Sequence, residues 1–161
     1  MVESIIFSGT SDREMIYDEI VPQIDALVSG ETDLTANLAN IAAVLKEAFE
    51  FFWVGFYLKN ESQLVLGPFQ GPVACTRINF DQGVCGHAYT TRETVIVPNV
   101  DEFPGHIACA SASKSEIVIP IFDRKGAVFG VLDVDSDKLE DFTSVDADGL
   151  NRIVKIIEGM I

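Results

Sequence analysis

Positive charge is scarce in this sequence. Eleven lysines and arginines stand against 25 aspartates and glutamates among 161 residues, a formal net charge of −14. A chain this acidic cannot neutralise phosphates, so nucleic acid and anionic membrane are excluded as expected partners. Long apolar runs are missing too, and none approaches the length needed to cross a bilayer. The first residues, Met1-Val2-Glu3-Ser4, carry no basic stretch, and Ile5-Ile6-Phe7 is too short for a signal core. A cytoplasmic protein is therefore expected. Cysteine is sparse: Cys75, Cys85 and Cys109 are the only three. An odd number builds no disulfide framework, so each must be a core filler, a metal ligand or a reactive thiol. With 12 glycines and 6 prolines the chain is neither fibrous nor of low complexity. What remains is 48% hydrophobic residues. At about 150 residues a chain hides roughly 68–70% of its unfolded surface, enough for one domain without a staple.

The apolar residues change period once. Met15, Ile16, Ile20, Ile24, Leu27 and Val28 recur at helical spacing, with Gly30 as a stop. Pro22 inside that pattern predicts a kink or two short helices. Thr32 or Asp33 can cap a second helix carrying Leu34, Leu38, Ile41, Leu45 and Phe49. From Phe52 onward the reading is β: Trp53 to Leu58, Gln63 to Leu66, a Gly/Pro-rich stretch from Gly67 to Pro72, then a short strand Cys75 to Ile78. A short helix enters through glycine at Gly83 to Tyr89, Thr94 to Val97 is a strand, and residues 99–112 read as loop. Ser115 to Phe122 and Ala127 to Asp135 are two strong strands, and Thr143 or Ser144 caps a final helix. The order predicts an α+β domain on a mostly antiparallel sheet of about six strands. One domain spans residues 1–161, with N-terminal helices about 12–48, sheet about 52–136 and a C-terminal helix about 143–160.

Two features carry chemistry. With Arg124 and Lys125 at the tip of the last hairpin, Glu116 faces Asp133 and Lys114 faces Asp135, on the sheet face opposite Ile117 and Ile119. Glu116, Asp133 and Asp135 then converge. Like charges on one face repel, so the cluster wants a cation or keeps a proton on a carboxyl of raised pKa. A solvated hairpin end with Lys114 neutralising Asp135 is the plain alternative, and a one-residue slip would dissolve the cluster.

The second feature is the cysteines. Their spacings of 10 and 24 match no common zinc pattern, even with His87 or His106 as a fourth ligand, so no metal is expected. Buried, inert cysteine is the ordinary alternative. All three nevertheless fall in loops or at element ends, and Cys85 stands at a helix start, where amide dipoles lower a thiol pKa. A thiolate that takes an oxygen and a second thiol that resolves the sulfenic acid to a disulfide can reduce an oxidised sulfur. A protonated carboxyl can supply the proton.

Seven segments resemble the free methionine-(R)-sulfoxide reductases, which are single GAF-domain enzymes. They are Phe51 to Leu58, Gly67 to Gly71, Gly83-Val84-Cys85-Gly86, Pro98-Asn99-Val100, His106 to Cys109, Ser115 to Pro120 and Gly130 to Ser136. The resemblance covers nearly the whole chain. It implies a GAF fold, with the terminal helices on one sheet face and a ligand pocket on the other. It implies reduction of free methionine-R-sulfoxide, no cofactor beyond an external thioredoxin-type dithiol, and a homodimer. Cys109 is similar to the family's nucleophile and Cys75 to its resolving cysteine, with Cys85 an alternative resolver that also lines the pocket. Glu116, Asp133 and Asp135 match its substrate-binding and proton-donating carboxylates, and Trp53 and Tyr57 its pocket aromatics, although core packing explains most such aromatics. His87 and His106 read as polar loop residues. The competing reading is a non-catalytic GAF module that senses a small ligand or redox state, since fold alone does not assign function. A sensor ordinarily needs an output domain, and a plain binder has no use for three loop cysteines.

Overall fold

The structure, a computed structural model, describes residues 4–107, 109 and 111–161. Helix α1 (Arg13–Ser29) starts where the Asp12 carboxylate accepts from the Met15 amide, and it buries Ile16, Tyr17, Ile20, Ile24 and Val28 on one side. It runs through Pro22 as one continuous helix, not as the two short helices that were the alternative to a kink. Pro22 is on the exposed side, so the Asp18 carbonyl that loses its helical bond can turn to water. Helix α2 (Leu34–Phe49) is capped by Asp33, which accepts from Ala36 N.

Six strands and a short helix follow: β1 (Trp53–Lys59), β2 (Gln63–Gln70), β3 (Arg77–Asn79), α3 (Gly83–Thr91), β4 (Val95–Val97), β5 (Ser115–Phe122) and β6 (Val128–Ser136). A single 3-10 turn covers Val100–Glu102. Helix α4 (Ser144–Glu158) closes the chain behind a reciprocal cap between Thr143 and Asp146. The strands form one antiparallel sheet in the order β3-β2-β1-β6-β5-β4. Strand β2 extends to Gln70, past the Gly67-Pro68 pair expected to end it. The register against β1 shifts between Gly55 and Tyr57, so this pair occupies a bulge that needs no amide from the proline.

Alternation along the strands separates two cores. Val54, Phe56, Ile117, Ile119, Ile121, Leu132 and Val134 pack under α1, α2 and α4. Trp53, Tyr57, Val118 and Val131 face the other way, against α3 and the loops around it, with Cys85 among them. The first core is locked at its rim by a polar knot. Tyr17 donates to the buried Asp146 carboxylate at 2.9 Å, and Arg13 reaches both Asp146 (3.0 Å) and Asp141 (2.9 Å).

The last hairpin differs from expectation by two residues. Phe122 pairs with Val128, leaving Asp123 to Ala127 as the loop, and a shift between Ile121 and Phe122 adds an irregular step. The Asp123 carboxylate accepts from Lys125 N and Ala127 N, which stabilises this longer turn. Glu116 therefore pairs with Asp135, not Asp133, and Asp133 stands opposite Val118. Lys114 lies outside the paired residues. An even shift preserves the face, so all three carboxylates remain on the sheet side opposite the helices.

Candidate active site

Each element delivers one part of a single cavity. Row by row across the sheet, Trp53 pairs with Asp135 and Asp135 with Glu116, while Gly55 pairs with Asp133. The start of α3 adds Gln82, Gly83, Val84 and Cys85, and the loop before β5 adds His106, Ile107, Cys109 and Ser113. Tyr57, Ala74 and Ile78 complete the lining of a small cavity of about 40 Å³. That is room for roughly three waters, taking about 10–15 Å³ for each.

Cys75 and Cys109 are joined by a disulfide, with their Cα atoms 5.3 Å apart. Cys109 borders the cavity, and Cys75 is not among the lining residues. The segment carrying Cys75 is tied to the sheet by two aromatics. The Trp53 indole donates to Pro72 O at 3.1 Å, and the Tyr57 hydroxyl donates to Cys75 O at 2.8 Å. The two rings stack with centroids 5.9 Å apart, and Phe69 also stacks on Trp53, at 5.3 Å. Gly55 makes this stack possible. A Cβ there would lie 2.3 Å from Phe69 Cβ and 2.7 Å from Trp53 Cη2. Gly55→Ala is therefore expected to destabilise the fold by about 1–3 kcal/mol. A denaturant titration checks this, with a blue-shifted tryptophan emission lost as the only indole leaves its slot.

Glu116 and Asp133 are buried, at 5% exposure each, and Asp135 is half-buried. No lysine or arginine is among the lining residues. Burial pushes the Glu116 pKa well above the usual range, and the neighbouring Asp133 and Asp135 charges push it further. Asp133 rises by burial to about 6, held back by its contacts with Glu116 and the Cys85 thiol. Its Oδ1 is buried with no hydrogen-bond partner. Asp135 is also raised, by burial and then by Asp133, against the pull of Ser113, whose hydroxyl donates to Asp135 Oδ1 at 2.6 Å. Apart from Glu116 and the Cys85 thiol, which contact Asp133, Ser113 is the hydrogen-bond donor onto this triplet among the described residues.

Two sequence expectations change here. Cys85 does start a helix, yet its thiol pKa is raised well above normal, because full burial and then Asp133, Glu116 and Asp135 outweigh the amide dipoles. It is the one free cysteine, and it is buried. His106, read as a loop residue, has Nε2 3.8 Å from Glu116 Oε2. Burial lowers the His106 pKa and raises that of Glu116, so the charged form of each partner is disfavoured in this contact. His87 lies outside the cavity, edge-on to Phe103.

The GAF domain family pattern matches residues 29–161. The free methionine-R-sulfoxide reductase of Saccharomyces cerevisiae is 39% identical over 96% of this chain and 91% of its own length. The free methionine-R-sulfoxide reductase of Neisseria meningitidis, solved in complex with its substrate, superposes with a TM-score of 0.96 at 53% identity, over 99% of this chain and 95% of that one. The chain belongs to this family. GAF domain-containing protein A of Dictyostelium discoideum is another relative, 54% identical over 98% of this chain and 99% of its own length. Membership fixes the fold class expected from the sequence, an α+β GAF domain with a six-stranded antiparallel sheet. No helix among the described residues is long and apolar enough to cross a membrane.

Sequence reasoning passed over Gln82 and Ser113, and it gave His106 no place in the pocket. Ser113 precedes a strand by two residues and His106 sits in a stretch without period, so neither spacing nor alternation points at them.

Proposed function

We propose that this protein reduces free L-methionine-(R)-S-oxide to methionine, with Cys109 as nucleophile and Cys75 as resolving thiol. The observation that supports this most is that Cys109, the half of the disulfide bordering the cavity, shares it with Glu116, Asp133 and Asp135. The Cys109 thiolate attacks the sulfoxide and takes its oxygen, a proton from Glu116 neutralises that oxygen, and methionine leaves as Cys109 becomes a sulfenic acid. The Cys75 thiol then displaces water to give the Cys75–Cys109 disulfide. A thioredoxin-type dithiol attacks that disulfide and carries the two electrons back. The small cavity of the disulfide form suits the end of this cycle, after methionine has left.

The substrate's ammonium pairs with Asp135 and with the unpartnered Asp133 Oδ1. Its carboxylate faces the first amides of α3, where the Gln82 side chain makes no capping bond. The S-methyl group packs on Trp53, with Tyr57 behind it. A methionine within a chain has neither charged end, which accounts for selectivity toward the free amino acid. The same reading takes residues 1–161 as one GAF unit, cytoplasmic and homodimeric, with no resident cofactor.

The deciding experiment is turnover of four compounds, the R and S sulfoxides of free and peptide-bound methionine, with thioredoxin and its reductase as electron source. Only the free R compound is expected to react. Equal turnover of a peptide-bound sulfoxide, or none of any, overturns the proposal.

Ser113 supplies a narrower test. Removing its hydroxyl takes away a charge-assisted hydrogen bond of about 1.5–3 kcal/mol. Asp135 then holds its proton to higher pH. Ser113→Ala is expected to lower kcat/KM about tenfold or more through KM, and to move the acid limb of the pH profile upward. Ser113→Thr, which keeps the donor, should restore both.

A further inference from the structure

The proposed cycle gives Cys85 no covalent step, and its surroundings suggest what else it can do. We infer that Cys85, Glu116 and Asp133 form an inhibitory site for one thiophilic divalent cation, of the chemistry of Zn²⁺. One sulfur and two carboxylate oxygens from these residues all lie within 4.8 Å of one another, and all three residues are buried. Tetrahedral zinc, with bonds of about 2.0–2.3 Å, places its donors about 3.3–3.7 Å apart. Closing the set by roughly an ångström lies within side-chain rotation.

Two independent observations point to a cation. Asp133 Oδ1 is buried without a partner, and no lysine or arginine borders the cavity. The donor set then selects the ion. A thiolate with two carboxylates suits zinc, cadmium or cobalt, whereas calcium takes about six to eight oxygens and magnesium holds an octahedron and sheds water reluctantly. The fourth position is open to water, or to the Cys109 sulfur once the disulfide is reduced, since Cys109 borders the same cavity. A bound cation would occupy the carboxylates proposed to hold the substrate's ammonium and proton, so it inhibits and is no cofactor. The sequence conceals this set because its donors come from α3, β5 and β6, at positions 85, 116 and 133.

The test uses the intact, oxidised protein, in which Cys85 is the one free thiol. Co²⁺ titration is expected to give a near-ultraviolet sulfur-to-cobalt charge-transfer band that saturates at one ion per chain and is displaced by Zn²⁺. Because the wild-type protein offers a single thiol, that band is assigned without any variant. Cys85→Ser should lose both band and retained metal, and Glu116→Gln should weaken binding about 100-fold or more, as loss of a ligand exceeds the roughly 10–100-fold typical of a supporting residue. In a single turnover by reduced, dithiol-free protein, one equivalent of Zn²⁺ should slow methionine release, and excess sulfoxide should reverse this. No band at saturating Co²⁺, metal retained equally by Cys85→Ser, or a turnover indifferent to zinc would each overturn the site. The cobalt measurement needs no activity, so its failure is separable from failure of the proposed reaction.

Discussion

Replacing Cys109 with serine is expected to abolish turnover of free methionine-R-sulfoxide, a loss of at least about 1,000-fold, because a serine hydroxyl without an adjacent base is not ionised near neutral pH. Neither remaining thiol can take over. Cys85 is fully buried with its pKa pushed up by burial and three carboxyls, and Cys75 is outside the cavity lining. The partner variant Cys75→Ser should behave differently. It keeps the nucleophile, so a reduced preparation should release about one methionine per chain and then stop, leaving Cys109 as a sulfenic acid that a dimedone probe captures. Unchanged steady-state turnover by Cys109→Ser would remove this residue from the chemistry. A full rate in Cys75→Ser with thioredoxin would hand the resolving step to another thiol.

The contrast between these cysteines shows which parts of the molecule a sequence can display. Alternation gave the faces of β5 and β6, because side chains on a strand follow a period of two whatever the loop does. The convergence of Glu116, Asp133 and Asp135 therefore survived a hairpin register displaced by two residues. Which carboxylate faces which did not survive, since partners depend on a five-residue loop and an irregular step at Ile121 that no local rule anticipates. Helix starts were legible to within one residue, Asp33 from the pair Thr32 and Asp33 and Thr143 from the pair Thr143 and Ser144, because a capping side chain acts within three residues. The continuity of α1 through Pro22 was not, because it depends on whether that face of the helix meets water or core. Cys85 is the clearest case. Its position at a helix start is local and argues for a lowered pKa. Burial first, and then carboxyls from strands more than 30 residues later in the chain, reverse the sign. The Cys75–Cys109 pairing is equally non-local: three cysteines allow three pairings, their spacing orders none of them, and only the family resemblance put Cys75 first as the partner of Cys109.

The other large effect is expected at Glu116. Glu116→Gln keeps the shape of the side chain and removes its proton-donating carboxyl. If Glu116 protonates the departing oxygen, kcat should fall about 10²–10⁴-fold, the range for loss of a general acid. The wild-type decline in rate as pH rises through the raised Glu116 pKa should disappear with it. Stability should move the opposite way. Glu116, Asp133 and Asp135 all have folded-state pKa values above the ordinary 4.5 and 3.8, so the folded protein binds more protons than the unfolded chain. Their favourable contribution is fully present below those ordinary values and is lost as pH rises through the folded ones, about 6 for Asp133. At pH 7 to 8 the triplet therefore weakens the fold, and removing one carboxyl relieves it. Glu116→Gln should melt no lower than wild type at pH 7.5, gaining roughly 2–4 °C for each kcal/mol relieved, with the difference shrinking toward pH 4.5. A variant that loses activity and melts lower at pH 7.5 would show Glu116 to be a structural prop. One that keeps its rate would return the proton to another donor, with His106, 3.8 Å away, the first to test.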